Sequence, residues 1–116
     1  MSIWLICYLL FIHWMVDFVF QSDSVAKNKS SSNTVLLYHC LMYGIVFALF
    51  TVNALYGFLL GLIHFPVDYI TSRINKKLYA SGRIHAFFVS IGFDQLLHFL
   101  TIFIVWGYLR GAGHVQ

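Results

Sequence analysis

The chain has 116 residues, of which 60% are hydrophobic and 9% are charged, and its formal net charge is +3. Soluble domains carry about 25% charged residues, so the composition excludes an ordinary soluble protein and indicates a single membrane domain over residues 1–116. Nearly all the Lys and Arg residues fall in two short polar segments beside apolar runs. Membrane topology alone accounts for such cations, so we expect no nucleic-acid partner.

Four apolar runs predict an all-α, polytopic membrane protein, built as a bundle of four transmembrane helices. We expect these helices at about residues 3–21, 34–52, 54–72 and 86–109. Each run is close to the ~20 residues that cross ~30 Å of hydrocarbon. The first run lacks the basic start and small-residue cleavage site of a secretory signal, so we interpret it as a retained helix.

The first predicted helix carries a histidine and an aspartate four residues apart, His13 and Asp17, with Gln21 one further turn along. Four residues are about one helical turn, so all three side chains share one face. Ionisable groups inside a membrane helix indicate a functional site. We predict that His13 and Asp17 face a shared ligand and that Gln21 supports them by hydrogen bonding.

The second and third predicted helices continue this pattern. His39 lies in the second helix without a paired acid, and the third helix carries His64 and Asp68 at the same four-residue spacing. Gly57 and Gly61 form a G-x-x-x-G pattern, which lets a neighbouring helix approach closely. We predict His64 and Asp68 as ligands, and His39, which lacks a paired acid, either as a further ligand or as a residue that supports the ligands.

The fourth predicted helix repeats the spacing in reverse order, with Asp94 preceding His98. Gln95 follows Asp94 and points about 100° away from it, so we expect it to orient the ligands and not to bind directly. Counted inward at ~1.5 Å per residue, the seven His and Asp residues named above fall in the membrane half next to the polar segments. The positive-inside rule makes that half cytoplasmic and places both termini outside.

A divalent metal explains how these acidic groups can be buried. Three lone carboxylates in hydrocarbon would cost roughly 7–10 kcal/mol unless protonation, hydrogen bonds or a cation offsets that cost. Imidazole and carboxylate suit Zn²⁺ or Mn- and Fe-like ions, in one or two copies. The predicted ligands are His13, Asp17, His39, His64, Asp68, Asp94 and His98. We expect the catalytic proton acceptor to be one of the three carboxylates, Asp17, Asp68 or Asp94.

These residues together resemble a family of small bacterial and bacteriophage membrane proteins known as domain of unknown function 3307. The resemblance runs from about residue 10 to about residue 101. Its pattern is His13-x-x-x-Asp17-Phe18-x-x-Gln21, then His39, then His64-x-x-x-Asp68, then Asp94-Gln95-x-x-His98. It implies the four-helix layout, the shared site and a bacterial cytoplasmic (inner) membrane location, but no reaction. A looser similarity links the chain to membrane-bound metal-dependent hydrolases.

The leading hypothesis is an intramembrane, metal-dependent hydrolase or transferase that acts on a phosphate-containing lipid or amphiphile from the cytoplasmic leaflet. Arg73 and Lys76 are candidates for binding an anionic headgroup. One alternative is a cation or proton transporter or channel, in which several copies could form a homo-oligomer around a shared pore. Another is a non-enzymatic phage or bacterial protein that binds a membrane partner and uses the cluster only to fix its fold.

Overall fold

The computed structural model describes residues 1–115 and contains no strand in that part of the chain, so the predicted all-α class is confirmed. A short connector helix, α2, separates an N-terminal helix from three long ones. The elements are α1 (Ile3–Trp14), a π-helical turn (Met15–Val19), α2 (Asp23–Asn28), α3 (Asn33–Thr51), α4 (Ala54–Ala80) and α5 (Ile84–Gly111).

Three helices among the described residues, and not the expected four, are long and apolar enough to cross a membrane: α3, α4 and α5. The first apolar helix, with its π-helical turn, ends at Val19 and not near residue 21. It ends early because a new helix starts directly afterwards, with the Ser22 hydroxyl accepting a hydrogen bond from the Val25 amide. The fold is therefore consistent with a membrane protein, with a first helix shorter than expected.

The polar segments contain more helix than expected. The first includes α2, and in the second α4 continues to Ala80 where the sequence predicts an end near residue 72. Lysines such as Lys76 and Lys77 favour helix, so leaving the apolar run does not end α4. The chain turns instead at Gly82, whose φ of 74° is a conformation that side-chain-bearing residues rarely adopt.

The central helix is α4, which packs against α3 on one side and α5 on the other. The α3–α4 contact is close because glycines face each other across it. A Cβ added at Gly44 would lie 2.7 Å from the Gly57 carbonyl oxygen, and one at Gly61 would lie 2.9 Å from the Cys40 carbonyl oxygen. The close approach predicted at Gly57 and Gly61 is therefore confirmed.

The bundle interior has an apolar half and a polar half. Near the α3–α4 turn, large apolar side chains fill the interior: Leu9, Phe47, Tyr56, Leu60, Ile102 and Trp106. The buried polar groups lie in the other half, toward α2. Many large apolar side chains point outward instead, including Trp4 and Leu49, which are 81% and 71% exposed. Such outward faces suit contact with lipid chains.

Candidate metal centre

The predicted intramembrane His/Asp cluster is present in the polar half of the bundle. All seven residues are buried, with at most 7% of each residue exposed: His13, Asp17, His39, His64, Asp68, Asp94 and His98. They come from α1, its π-helical turn, α3, α4 and α5. The four-residue spacing stacks each pair on its own helix, and helix packing then brings the pairs together.

The π-helical turn positions Asp17. The Phe20 backbone amide donates to the Met15 carbonyl at 2.7 Å, a five-residue step that is wider than an α-helical turn. Asp17 lies inside this turn and places its Oδ1 atom 2.9 Å from the Nε2 atom of His39 on α3. Single π-helical turns inside α-helices are frequent at functional sites.

Four donor atoms face one another across three helical segments: Asp17 Oδ1, His39 Nε2, His64 Nε2 and Asp68 Oδ2. We call these the four-donor set. His39 Nε2 lies 2.9 Å from Asp17 Oδ1, 3.1 Å from His64 Nε2 and 3.6 Å from Asp68 Oδ2. His64 Nε2 lies 3.7 Å from each carboxylate oxygen. A tetrahedral ion with bonds of about 2.0–2.2 Å holds its ligand atoms roughly 3.3–3.6 Å apart; the three longer of these five distances agree with that range to about 0.1 Å, and the two shorter ones lie about 0.2–0.4 Å below it.

The four-donor set fits a shared cation better than an internal hydrogen-bond network. Asp17 Oδ1 and Asp68 Oδ2 are buried, and their nearest partners, His39 Nε2 at 2.9 Å and Lys29 Nζ at 3.0 Å, are not aligned with them as hydrogen-bond donors. Leaving such oxygens unsatisfied is costly. His39 and His64 both direct Nε2 at the same space, and a neutral imidazole has only one N–H to donate. A divalent ion in that space is compatible with all four lone pairs.

Asp94 differs from the other two carboxylates because protein donors surround it. The Thr71 hydroxyl donates to Asp94 Oδ1 at 2.6 Å, and the Gln95 amide donates to Oδ2 at 3.3 Å. His98 Nε2 lies 3.1 Å from Asp94 Oδ1, and the His98 ring stacks on His64 with centroids 4.2 Å apart. Asp94 is therefore held beside the four-donor set without belonging to it.

His98 extends the cluster toward a second group of ligand atoms. One such group joins His98 to Asp94 and Asp68, and another joins it to Asp17 and His64, with the atoms of each group within 4.8 Å of one another. Because these groups share residues with the four-donor set, the cluster has room for one ion or for two close ions.

His13, one of the predicted ligands, has a hydrogen-bond partner at each of its ring nitrogens. Its Nδ1 atom lies 2.8 Å from the Tyr43 hydroxyl and its Nε2 atom 2.7 Å from Gln95 Oε1. An amide oxygen only accepts, so Nε2 of the neutral ring donates to Gln95, and Nδ1 accepts from Tyr43. Both ring nitrogens are engaged because α3 and α5 each supply a partner. His13 thus holds Tyr43 and Gln95 in place and offers no free lone pair to an ion.

The two glutamines expected to support the site lie in different surroundings. Gln95 contacts both His13 and Asp94, so it joins α1 to the carboxylate on its own helix. Gln21 lies beyond the π-helical turn, and its Oε1 atom has no hydrogen-bond partner in the described part of the chain. Within residues 1–115 no hydrogen bond joins Gln21 to Asp17, and the expected contact of Gln21 with a ligand stays a prediction.

The two expected headgroup-binding residues also separate. Lys76 lines a cavity next to the cluster. Arg73 is held elsewhere: its guanidinium donates to Asn33 Oδ1 at 2.8 Å and lies 3.6 Å from the centre of the Tyr69 ring. Arg73 therefore fastens α4 to the start of α3 and does not line the cavity formed by the described residues.

Three residues that the sequence did not single out contact the cluster: Lys29, Tyr43 and Thr71. Helical spacing could have indicated two of them, since Tyr43 is one turn after His39 and Thr71 is one turn after Asp68. Lys29 has no comparable signal because it comes from the connector and not from a helix that carries a ligand.

Lys29 supplies a positive charge to the cluster. Its Nζ atom lies 3.0 Å from Asp68 Oδ2, and its side chain is only 16% exposed. Burial alone would lower the pKa of this ammonium, but Asp68 and Asp17 outweigh that effect and raise the pKa above the usual lysine value. With neutral histidines, three carboxylates and this ammonium leave two net negative charges in the cluster.

A partly open cavity of about 350 Å³ connects the cluster to the connector side of the bundle. Asp17, Asp94 and Gln95 border it from the cluster, and three lysines, Lys27, Lys29 and Lys76, also line it. Its volume is that of a site for a small molecule or a headgroup. The cavity gives the cluster an approach from the side where the cations are concentrated.

The family described as "Protein of unknown function (DUF3307)" matches residues 5–114, so the chain belongs to this family. The resemblance inferred from the His and Asp pattern is thereby confirmed, over a longer stretch than the pattern itself covers. No curated protein and no solved structure matches the chain.

Proposed function

We propose that this member of the DUF3307 family is an intramembrane metal-binding protein in which Asp17, His39, His64 and Asp68 hold a divalent ion. The observation that supports this most strongly is that His39 Nε2 and His64 Nε2 lie 2.9–3.7 Å from each other and from the carboxylate oxygens of Asp17 and Asp68. Zn²⁺ suits two imidazoles and two carboxylates in a tetrahedral arrangement, and Mn²⁺ or Fe²⁺ accepts the same donors. Asp94 and His98 would complete a site for a second ion.

The reaction we propose is hydrolysis or group transfer on a phosphate-containing lipid or similar amphiphile. When bound, the ion polarises a phosphoryl or carbonyl oxygen and lowers the pKa of water. Asp94 is the best-placed proton acceptor because it borders both the four-donor set and the cavity. Thr71 and Gln95 fix its two oxygens in place. Asp17 and Asp68, also expected as catalytic, serve as ligands in this scheme.

The cavity supports an anionic amphiphile as the substrate. Three lysines line it, and a phosphate group next to them would lie close to the four-donor set. Cations near a membrane surface attract anionic headgroups. Of the two residues first considered for that contact, Lys76 is retained, while Lys27 and Lys29 take the place of Arg73.

We also propose that the first helix is a fourth span. The 12 residues of α1 and the 5 of its π-helical turn cover about 25 Å, near the lower end of known spans. His13 and Asp17 then lie in the same layer as the pairs on α4 and α5. The positive-inside rule orients the lysine-rich end toward the cytoplasm of a bacterial inner membrane, with both termini outside.

Metal analysis of the purified protein tests the proposal. Protein extracted in a non-ionic detergent and passed over a desalting column is expected to contain about one transition-metal ion per chain, or two if the second group fills. Asp68→Asn and His64→Ala are expected to lose it. His85→Ala is the matched control, because His85 is exposed and outside the cluster, and it should keep its ion. A wild-type protein without bound transition metal would contradict the proposal.

A further inference from the structure

Two cations compete for one oxygen atom at the edge of the cluster. Asp68 Oδ2 belongs to the four-donor set and also lies 3.0 Å from Lys29 Nζ. With a metal bond of about 2.1 Å, an ion at Asp68 would lie no more than roughly 5 Å from that ammonium. Charges so close repel strongly where water is scarce. Lys29 in its present position therefore opposes the ion.

Lys29 has an alternative place for its ammonium. It sits at the end of the connector helix α2, on a flexible four-carbon stem, and lines the same cavity as Lys27 and Lys76. Ser72 also lines this cavity and is 7% exposed. Its hydroxyl has no hydrogen-bond partner within residues 1–115. Three ammonium groups and an unused hydroxyl are the chemistry that binds a phosphate group.

We propose that Lys29 couples the binding of a phosphate group in the cavity to the binding of the metal ion at Asp68. With the cavity empty, Lys29 pairs with Asp68. A phosphate group in the cavity draws the ammonium away and leaves Asp68 Oδ2 free for the ion. This inference rests on the proposed metal site and adds an order of binding. The phosphate-bearing ligand binds first, and its binding frees Asp68 to complete the metal site that acts on that ligand.

Thermodynamic linkage gives the coupling a measurable form. If phosphate raises the affinity for the metal by some factor, the metal must raise the affinity for phosphate by the same factor. A neutral side chain at position 29 removes both effects: Asp68 is then always available to the ion, so the metal binds tightly whether or not phosphate is present.

Co²⁺ titration tests the coupling, since the visible absorption of Co²⁺ reports its coordination. The protein is placed in phosphatidylcholine nanodiscs, with free Co²⁺ set by a chelator buffer. One arm has no addition, one has inorganic phosphate, and one has phosphatidic acid in the nanodisc. We expect the wild type to bind Co²⁺ about tenfold more tightly with a phosphate group present. Lys29→Met should bind tightly in every arm.

Two control variants are needed. One shows whether the charge at position 29, and not a folding defect, explains the result, and the other shows whether removing any lysine has the same effect. Lys29→Arg keeps the charge and should keep the coupling, so a loss specific to Lys29→Met is not a folding defect. Lys77→Met changes an exposed lysine of α4 that does not line the cavity and should respond to phosphate as the wild type does. A phosphate that simply ligated the ion would tighten Co²⁺ binding in Lys29→Met as well, and that result would overturn the proposal.

The remaining outcomes are distinct. A wild type that binds no Co²⁺ contradicts the metal site itself. A wild type that binds Co²⁺ with the same affinity in all three arms leaves the metal site standing and overturns the role of Lys29. A response to phosphatidic acid alone identifies a lipid headgroup as the ligand, and a response to both additions shows that free phosphate suffices. Both responses support the coupling.

Discussion

The Nε2 atoms of His39 and His64 lie 3.1 Å apart, across the contact between α3 and α4. This distance depends on how closely the two helices approach, because each ring is carried by a separate helix. The approach is set by Gly44, Gly57 and Gly61, where a Cβ would meet the opposite backbone. The geometry of the proposed metal site is therefore controlled by glycines that have no donor atoms of their own.

Gly61→Ala is expected to weaken the site from within the helix contact. The added Cβ would lie 2.9 Å from the Cys40 carbonyl oxygen, so α3 must move, and overpacking of this kind costs about 1–3 kcal/mol. The midpoint temperature of thermal unfolding and the metal content should both be lower than in the wild type. Gly92→Ala is the control, since a Cβ there meets no atom of the described chain within 4 Å. Equal behaviour of the two variants would contradict this account.

His13→Asn is expected to retain the metal that His64→Ala loses. Both nitrogens of His13 are already engaged, by Tyr43 and Gln95, whereas His64 directs Nε2 into the four-donor set. Elemental analysis of the two variants after identical purification makes the comparison. If His13→Asn loses its ion as fully as His64→Ala does, His13 is a ligand after all.

Asp94→Asn is expected to keep the ion of the four-donor set and to lose the proposed hydrolase or transferase activity. The amide preserves the shape of the side chain but cannot accept a proton, and removal of a general base lowers rates by about 10²–10⁴-fold. Turnover of phospholipids from a bacterial extract is followed by mass spectrometry in proteoliposomes. Asp23→Asn, a change to an exposed acid in the connector, should leave the rate unchanged. Phospholipids that stay intact with the metal-loaded wild type would count against a phospholipid substrate.

Cysteines introduced at Ser31 and Ala112 should be labelled from opposite faces of the membrane. Both positions are exposed, and four spans place one in the connector and the other beyond α5. The experiment needs Cys7 and Cys40 replaced by alanine, because both are free thiols. A membrane-impermeant maleimide added to intact cells should reach Ala112→Cys alone. Because α3, α4 and α5 alone would also separate these two positions, Ser2→Cys tests the fourth span: it should be labelled from outside like Ala112→Cys, and a Ser2→Cys that the reagent does not reach would contradict the fourth span.

Proteoliposomes containing the protein should show no flux of divalent cations above that of empty vesicles. Leu60 and Ile102 are fully buried and, with neighbouring apolar side chains, fill the half of the bundle away from the connector. A polar path thus ends at the cluster. The measurement uses Mn²⁺ and a fluorescent indicator trapped inside the vesicles. Uptake of Mn²⁺ that His64→Ala abolishes would favour the transport alternative.

The residues of the cluster could be predicted from sequence because their spacing is local. His64 and Asp68 share a helix face wherever that helix is placed, and so do Asp94 and His98. Their depth in the apolar runs then predicts that the pairs meet in one layer. The fold class follows from the same runs, since a chain this apolar has few options besides spanning helices.

The details that sequence could not predict arise from tertiary contacts and from the backbone. A π-helical turn inserts one residue without changing the apolar pattern, so neither the turn at Asp17 nor the early end of the first helix was expected. Lys29 reaches Asp68 only because α2 folds beside the bundle. Arg73 and Lys76 look equivalent in the sequence, but Asn33 and Tyr69 hold the first away from the cavity.

The apolar half of the bundle has a consequence for how an ion would reach the proposed metal site. With Tyr56, Leu60 and Ile102 filling the interior there, exchange between the cluster and water is confined to the cavity on the connector side. A site with a single entrance equilibrates with a single compartment. The identity of the bound metal is then set by the free-metal levels of that compartment as much as by ligand preference, and the same chain expressed under zinc or manganese limitation would be isolated with different ions.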